Sequence, residues 1–182
     1  MKRIAFFVVA VIAVSTVAVA QSQDDAINTA LQALPPNLRP DATVIKWKPD
    51  FTYETLRKGT NGLVCFDRSG MPEQQAVSIE CTSEGNLPRE AQNLKAEALG
   101  DKAKTQATLD TMEKDGTRVK PEYGSVWYHY LGADKEHARM HMTIALPGAT
   151  SQSTGLSDKR SQNGVWLMNP GTTTAHLMTP GE

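Results

Sequence analysis

The chain has 182 residues, with 19 Lys and Arg against 20 Asp and Glu and a formal net charge of −1 at pH 7. That length supports one domain with a real hydrophobic core and gives no reason for a second. The basic residues, among them Arg57/Lys58, Lys102/Lys104, Arg118/Lys120 and Lys159/Arg160, are scattered and interleaved with acids, which excludes the clustered basic surface that nucleic acid requires and reads as a solvated exterior.

Lys2 and Arg3, the apolar run Ile4 to Val14 and the small residues Ala18-Val19-Ala20 follow one another in the order of a secretory signal peptide. The run is shorter than the roughly 20 apolar residues that span a bilayer, and no later segment comes close. Cleavage after residue 20 is expected to leave a soluble product of net charge −3 with no membrane span, exported to a periplasm or secreted. Gln21, at the new terminus, is not a cysteine and offers no acceptor for a lipid anchor.

Residues 22–34 place Ala26, Ile27, Ala30, Leu31 and Leu34 at helical spacing behind Ser22 or Asp24 as N-cap. Pro35, Pro36 and Pro40 break that helix, so residues 21–41 are expected to form a separate N-terminal element tethered to a main domain of residues 42–182. From Ala42 the pattern turns β-branched and aromatic, predicting strands at Thr43 to Lys48, Thr52 to Lys58, Leu63 to Asp67 and Ala76 to Thr82. Gly59-Thr60-Asn61-Gly62 is a tight-turn sequence that makes the second and third strands antiparallel neighbours. Cys65 and Cys81 then fall on adjacent strands, and in an oxidising compartment they are expected to form a disulfide that closes a loop of about 15 residues and stabilises by roughly 3 kcal/mol.

Pro88 opens a helical section to residue 115 with Leu87, Ala91, Leu94 and Ala98 on one face, divided at Gly100. Its charged remainder allows only one narrow face to pack, so it is expected to lie across a sheet. Strands return at Ser125 to Leu131, Arg139 to Leu146, Val165 to Met168 and Thr173 to Thr179, the last two joined by the turn Asn169-Pro170-Gly171-Thr172. The polar stretch Gly148 to Gly164 is long for a connection and reads as a surface loop or a lid. These elements predict an α+β fold: an antiparallel sheet of about six to eight short strands, a helix packed on one face and a separate N-terminal helix.

Leu56 to Cys65, His141 to Pro147 and Gly171 to Pro180 resemble sequence blocks of a family of small exported bacterial proteins of unknown function. The resemblance implies an exported domain and carries no activity with it.

No phosphate cradle, haem attachment, dinucleotide fingerprint or Gly-x-Ser-x-Gly elbow is present. The acid pairs Asp24/Asp25 and Glu73/Glu80 read as surface charges, and His129 as a partly buried histidine with a hydrogen-bond partner. Strand alternation puts Met140 and Met142 on the core face and His141 on the other. If His176 and Met178 share the face of His141, the three form a candidate copper or zinc site, because imidazole and thioether suit both. The aromatic strands, with Trp127, Tyr130 and Trp166 beside the long loop, favour instead a non-catalytic binding or accessory protein for a small ligand or a protein partner.

Overall fold

The computed structural model describes residues 22–180. The signal-peptide reading, which concerns residues 1–20, lies outside them.

All eight expected strands are present: β1 (Thr43–Trp47), β2 (Tyr53–Arg57), β3 (Leu63–Asp67), β4 (Val77–Ser83), β5 (Val126–Gly132), β6 (Arg139–Ala145), β7 (Trp166–Met168) and β8 (His176–Met178). They form one sheet in the order β2-β1-β3-β4-β5-β6-β8-β7. Every pairing is antiparallel except β1 with β3, which is parallel. The last strand is shorter than expected because Thr172 to Ala175 is a turn, in which the Ala175 N–H donates to the Thr172 carbonyl.

The expected β2–β3 hairpin does not form, because β1 lies between them. The tight turn sits one connection earlier, at Pro49-Asp50-Phe51. There the Asp50 carboxylate accepts from the Thr52 N–H and hydroxyl, and Phe51 takes a positive φ of 64°. Residues 59–62 instead cross the start of β1. Thr60 and Asn61 N–H groups donate to the Asp41 carbonyl, and Gly59 N–H donates to the Thr43 hydroxyl. A Cβ at Gly59 would overlap the Asp41 carbonyl oxygen, so glycine here serves a close backbone approach rather than a hairpin.

The two faces of the sheet are covered differently. On one face the N-terminal helix α1 (22–30) continues into a 3-10 turn at Leu31–Ala33. Ala30, Leu31, Ala33 and Leu34 pack there on Val44, Cys65, Val77, Ile79 and Cys81. The helix is separate from the other helices, yet it belongs to the core instead of hanging from its prolines. The same face holds the Cys65–Cys81 disulfide between directly opposed residues of β3 and β4. Met140 and Met142 point to this side as expected, but Met140 is 39% exposed because the N-terminal helix does not extend over β6.

On the opposite face α2 (Leu87–Glu97) packs Leu87 and Leu94 against Ile45, Trp47, Val64 and Phe66. Gly100, at φ 65°, ends that helix. Asp101 then caps α3 (Lys102–Lys114) by accepting from the Ala103 and Lys104 N–H groups. Over β5, β6 and β8 this face carries polar and aromatic residues instead of an apolar core. The 148–164 connection is not a bare loop, since it contains the one-turn helix α4 (Ser151–Thr154), fixed by a Thr150–Ser153 capping box and ended at Gly155 with φ 72°.

Leu34 has no exposed surface. Leu34→Ala is expected to destabilise the whole domain by roughly 2–5 kcal/mol, read as a lower midpoint of one cooperative urea transition. An unchanged midpoint would show that the N-terminal segment is only tethered.

Candidate functional site

Arg68 follows β3 and points to the α2 face. Its Nη1 lies 2.9 Å from Glu80 Oε1 on β4 and 3.1 Å from Glu90 Oε1 on α2, and its Nη2 pairs with Glu97 one helical stretch further on. Glu80 is therefore not a surface charge as expected: it is 6% exposed, and Glu90 is fully buried. Burial alone raises a carboxyl, but at Glu80 the Arg68 guanidinium, helped by His129, overcomes it and holds the group below the usual carboxylate range. At Glu90 burial wins over the attraction of Arg68, with the Glu80 carboxylate adding to it, and the group is pushed well up. The three carboxylates in turn hold Arg68 charged against its own burial.

Beyond this cluster a cleft of about 530 Å³ opens between α2, α3 and the face of β5, β6 and β8. Its floor carries Trp127, His129, Thr143, Ala145 and His176, and its walls carry Arg68, Glu80, Arg89, Glu90, Asn93, Glu97, Glu113 and Arg118. Register explains the floor. Glu80, His129 and His141 stand opposite one another on β4, β5 and β6, and Trp127 stands opposite Thr143, with Met178 and Trp166 next in that row. The rings of Trp127 and His129 stack on each other at 6.4 Å and 11°, and those of His129 and His141 at 6.0 Å and 25°. His129 Nδ1 lies 3.6 Å from Glu80 Oε1, an electrostatic neighbour rather than the expected hydrogen-bond partner.

Arg118 is buried in this wall, not solvated as its sequence neighbourhood implied. It donates to Gln92 Oε1 at 3.1 Å and to Asn93 Oδ1. Arg89 donates to the Val119 carbonyl, to Thr173 Oγ1 at 3.2 Å and to Thr174 Oγ1 at 2.9 Å. Burial, then the repulsion of Arg118, lowers Arg89 to about 10. Against burial, the Thr173 N–H and hydroxyl hold the Glu113 carboxylate below its ordinary range.

Among the residues proposed from sequence, His141, His176 and Met178 do share one face. His176 stands opposite Ala145 and Met178 opposite Thr143, so the backbones of His141 and His176 are four residues apart, about 13 Å along the strands. The register thus brings Met178 between the two histidines without bringing the histidines together. Burial, followed by His129 and His176, lowers His141, and burial also lowers His176, whose Nδ1 is 2.7 Å from the Thr174 carbonyl. No group of three or more His, Cys, Asp and Glu among the described residues is arranged to hold a metal ion. Trp127 lines the cleft, whereas Tyr130 faces the opposite side against Ile79 and Trp166 lies buried at the far edge strand. No residue of the 148–164 loop borders the cleft.

Sequence reasoning missed Arg68, Glu80, Arg89, Glu90, Glu97 and Arg118. One signal was present: Glu90 and Glu97 fall three residues after Leu87 and Leu94, on the same helical stripe that packs on the sheet.

No protein-family model, curated protein or solved structure matches this chain.

The two buried carboxyls give stability opposite dependences on pH. Glu90 is raised on folding, so its contribution is present at low pH and is lost as pH climbs from the unfolded carboxylate range through its folded value. Glu80 is lowered, so its contribution is present above that range and is lost as pH falls. In urea unfolding across pH, Glu90→Gln is expected to gain stability relative to wild type as pH rises, by at most about 1.4 kcal/mol per unit. A constant difference would mean that Glu90 titrates alike folded and unfolded.

Proposed function

We propose that the protein is an exported, soluble binding protein, not an enzyme, and that it holds a small ligand in the cleft between α2, α3 and the β5-β6-β8 face. The observation that carries this reading is the cleft itself. At about 530 Å³ it falls within the range of small-molecule pockets, and it combines aromatic floor residues with a few convergent polar groups. Export is supported by the signal-type segment at residues 1–20 and by the Cys65–Cys81 disulfide, since such bonds persist in oxidising compartments. Two of the blocks that resemble exported bacterial proteins, on β6 and β8, contribute Thr143, Ala145, Thr174 and His176 to the cleft. A binding role is favoured over catalysis because the carboxylates are engaged by fixed partners: Glu80, Glu90 and Glu97 by Arg68, and Glu113 by Thr173.

A set of small organic acids, amines, alcohols and sugars, titrated into the protein and followed by NMR, tests this. At least one class is expected to shift the Trp127 indole and His176 ring signals and to raise Tm, while leaving Trp47, packed between Tyr53 and Phe66, unmoved. Silence of Trp127 and His176 toward every class would overturn the reading.

A further inference from the structure

We propose that the end of this cleft nearest the start of α2 is an oxyanion site, and that the ligand presents a carboxylate on a flat, ring-sized body to Arg89 and Arg118. The inference rests on the small-ligand reading above and names the ligand's chemistry.

Three arginines line the cleft, and they are treated differently. Arg68 has three carboxylates within 4 Å. Arg89 and Arg118 are almost as buried, at 5% and 7% exposed, yet neither forms an ion pair among the described residues. Every acceptor they reach is neutral: the Val119 carbonyl, two threonine hydroxyls and two side-chain amides. These bonds use only Nη atoms, and among the described residues the Nε–H of neither arginine has a hydrogen-bond partner, as is also true of the buried Nε of Arg68. Buried charges are ordinarily paired, and here two like charges share one wall of an open cavity.

The nearest acid does not fill the role. Glu113 is engaged by Thr173, whose N–H donates at 2.6 Å and whose hydroxyl donates at 2.5 Å. That same hydroxyl oxygen accepts from Arg89, so threonine stands between the two charges. Arg89 also occupies the first turn of α2, where the helix presents its positive end and where an anion, not a cation, is favoured. The fold therefore places two buried guanidiniums without an ion pair among the described residues at this end, while Arg68 is paired with Glu80, Glu90 and Glu97.

Guanidinium recognises a carboxylate through paired N–H donors. The rest of the ligand has to lie along the floor, where the mutually stacked rings of Trp127 and His129 line the cleft and offer aromatic contact to a ring-sized body.

The test titrates wild-type protein with benzoate and 2-naphthoate, with the matching neutral alcohols, and with inorganic phosphate, using calorimetry and the Trp127 indole signal. The carboxylates are expected to bind at least tenfold more tightly than their alcohols, and Arg89→Gln or Arg118→Gln to weaken the carboxylates at least tenfold while leaving the alcohols unchanged. Equal binding of acid and alcohol, or full carboxylate affinity in both variants, would overturn the proposal. Binding of phosphate without either carboxylate would also overturn it. If the variants fail to fold, the comparison of acid with alcohol on the wild type decides alone. A neutral or cationic compound that moves Trp127 where the carboxylates do not would remove the oxyanion site and keep the small-ligand reading, whereas silence toward all compounds would remove both.

Discussion

The burial of Arg68 between Glu80, Glu90 and Glu97 is the constraint on which the rest of this molecule depends. One guanidinium at the end of β3 reaches β4 and two positions of α2 about two turns apart, and so fixes the helix on the sheet in both position and rotation. Taking these groups from water costs several kcal/mol per ion, and only close geometry with matched charges offsets it. Three carboxylates around one arginine exceed its charge, and the cluster resolves the excess through Glu90, which burial pushes toward its neutral form. A packed apolar cluster of similar volume would hold α2 at least as firmly. What the ionic cluster adds is a polar wall at the place where the apolar contact of α2 with β1 and β3 gives way to the open face of β5, β6 and β8.

The sheet divides its labour by face. One side is sealed by α1, its 3-10 extension and the disulfide, with Leu34, Cys65, Cys81 and Ile79 at its centre. This lets the other side depart from a hydrophobic core without loss of the fold. There α2 packs over β1 and β3, α3 lines the cleft and reaches Thr173 through Glu113, and the face of β5, β6 and β8 becomes the cleft floor. The Asn86 side chain joins the two parts. Its amide donates to Thr82 on β4 and to Ser125 at the head of β5, and its oxygen accepts from the Glu122 N–H. The start of α2, and with it Arg89, is thereby held to the strand that carries Trp127 and His129.

Local pattern was legible where one residue type decides one conformation. All eight strands, the break at Gly100 and the pairing of Cys65 with Cys81 follow from alternation, turn residues and compartment. Strand order was not legible, because the glycines at 59 and 62 announce a tight approach without saying to what. The approach is to Asp41, across β1, and not back onto β2. The site was hidden for a different reason. On β4 the sequence Val77-Ser78-Ile79-Glu80-Cys81-Thr82 alternates apolar with polar, which by itself means a core face and a solvent face. Here both faces are covered: Glu80 is buried against Arg68, Ser78 donates to the Gln74 side chain, and Thr82 donates to the Val126 carbonyl and accepts from Asn86. Glu80 and Arg68 look like surface residues until α2 is placed over them.

The buried charges that hold the fold differ from those that do not in the partners they have. Arg68 is paired with three carboxylates, and its removal would leave them buried without a counter-charge, so its role in the fold is complete without any ligand. Arg89 and Arg118 lie within the same cavity and are equally removed from water, but they hold together nothing that a neutral hydrogen-bond donor would not hold, since each of their acceptors is neutral. Their positive charge costs desolvation, and at Arg89 the repulsion of Arg118, which the attraction of Glu113 and Glu90 does not offset. Folded chains tolerate such mismatches chiefly where function requires them. In this chain the mismatch stands in the wall of the cleft near the start of α2, above a floor that carries Trp127 and His129, rather than in the sealed half of the sheet.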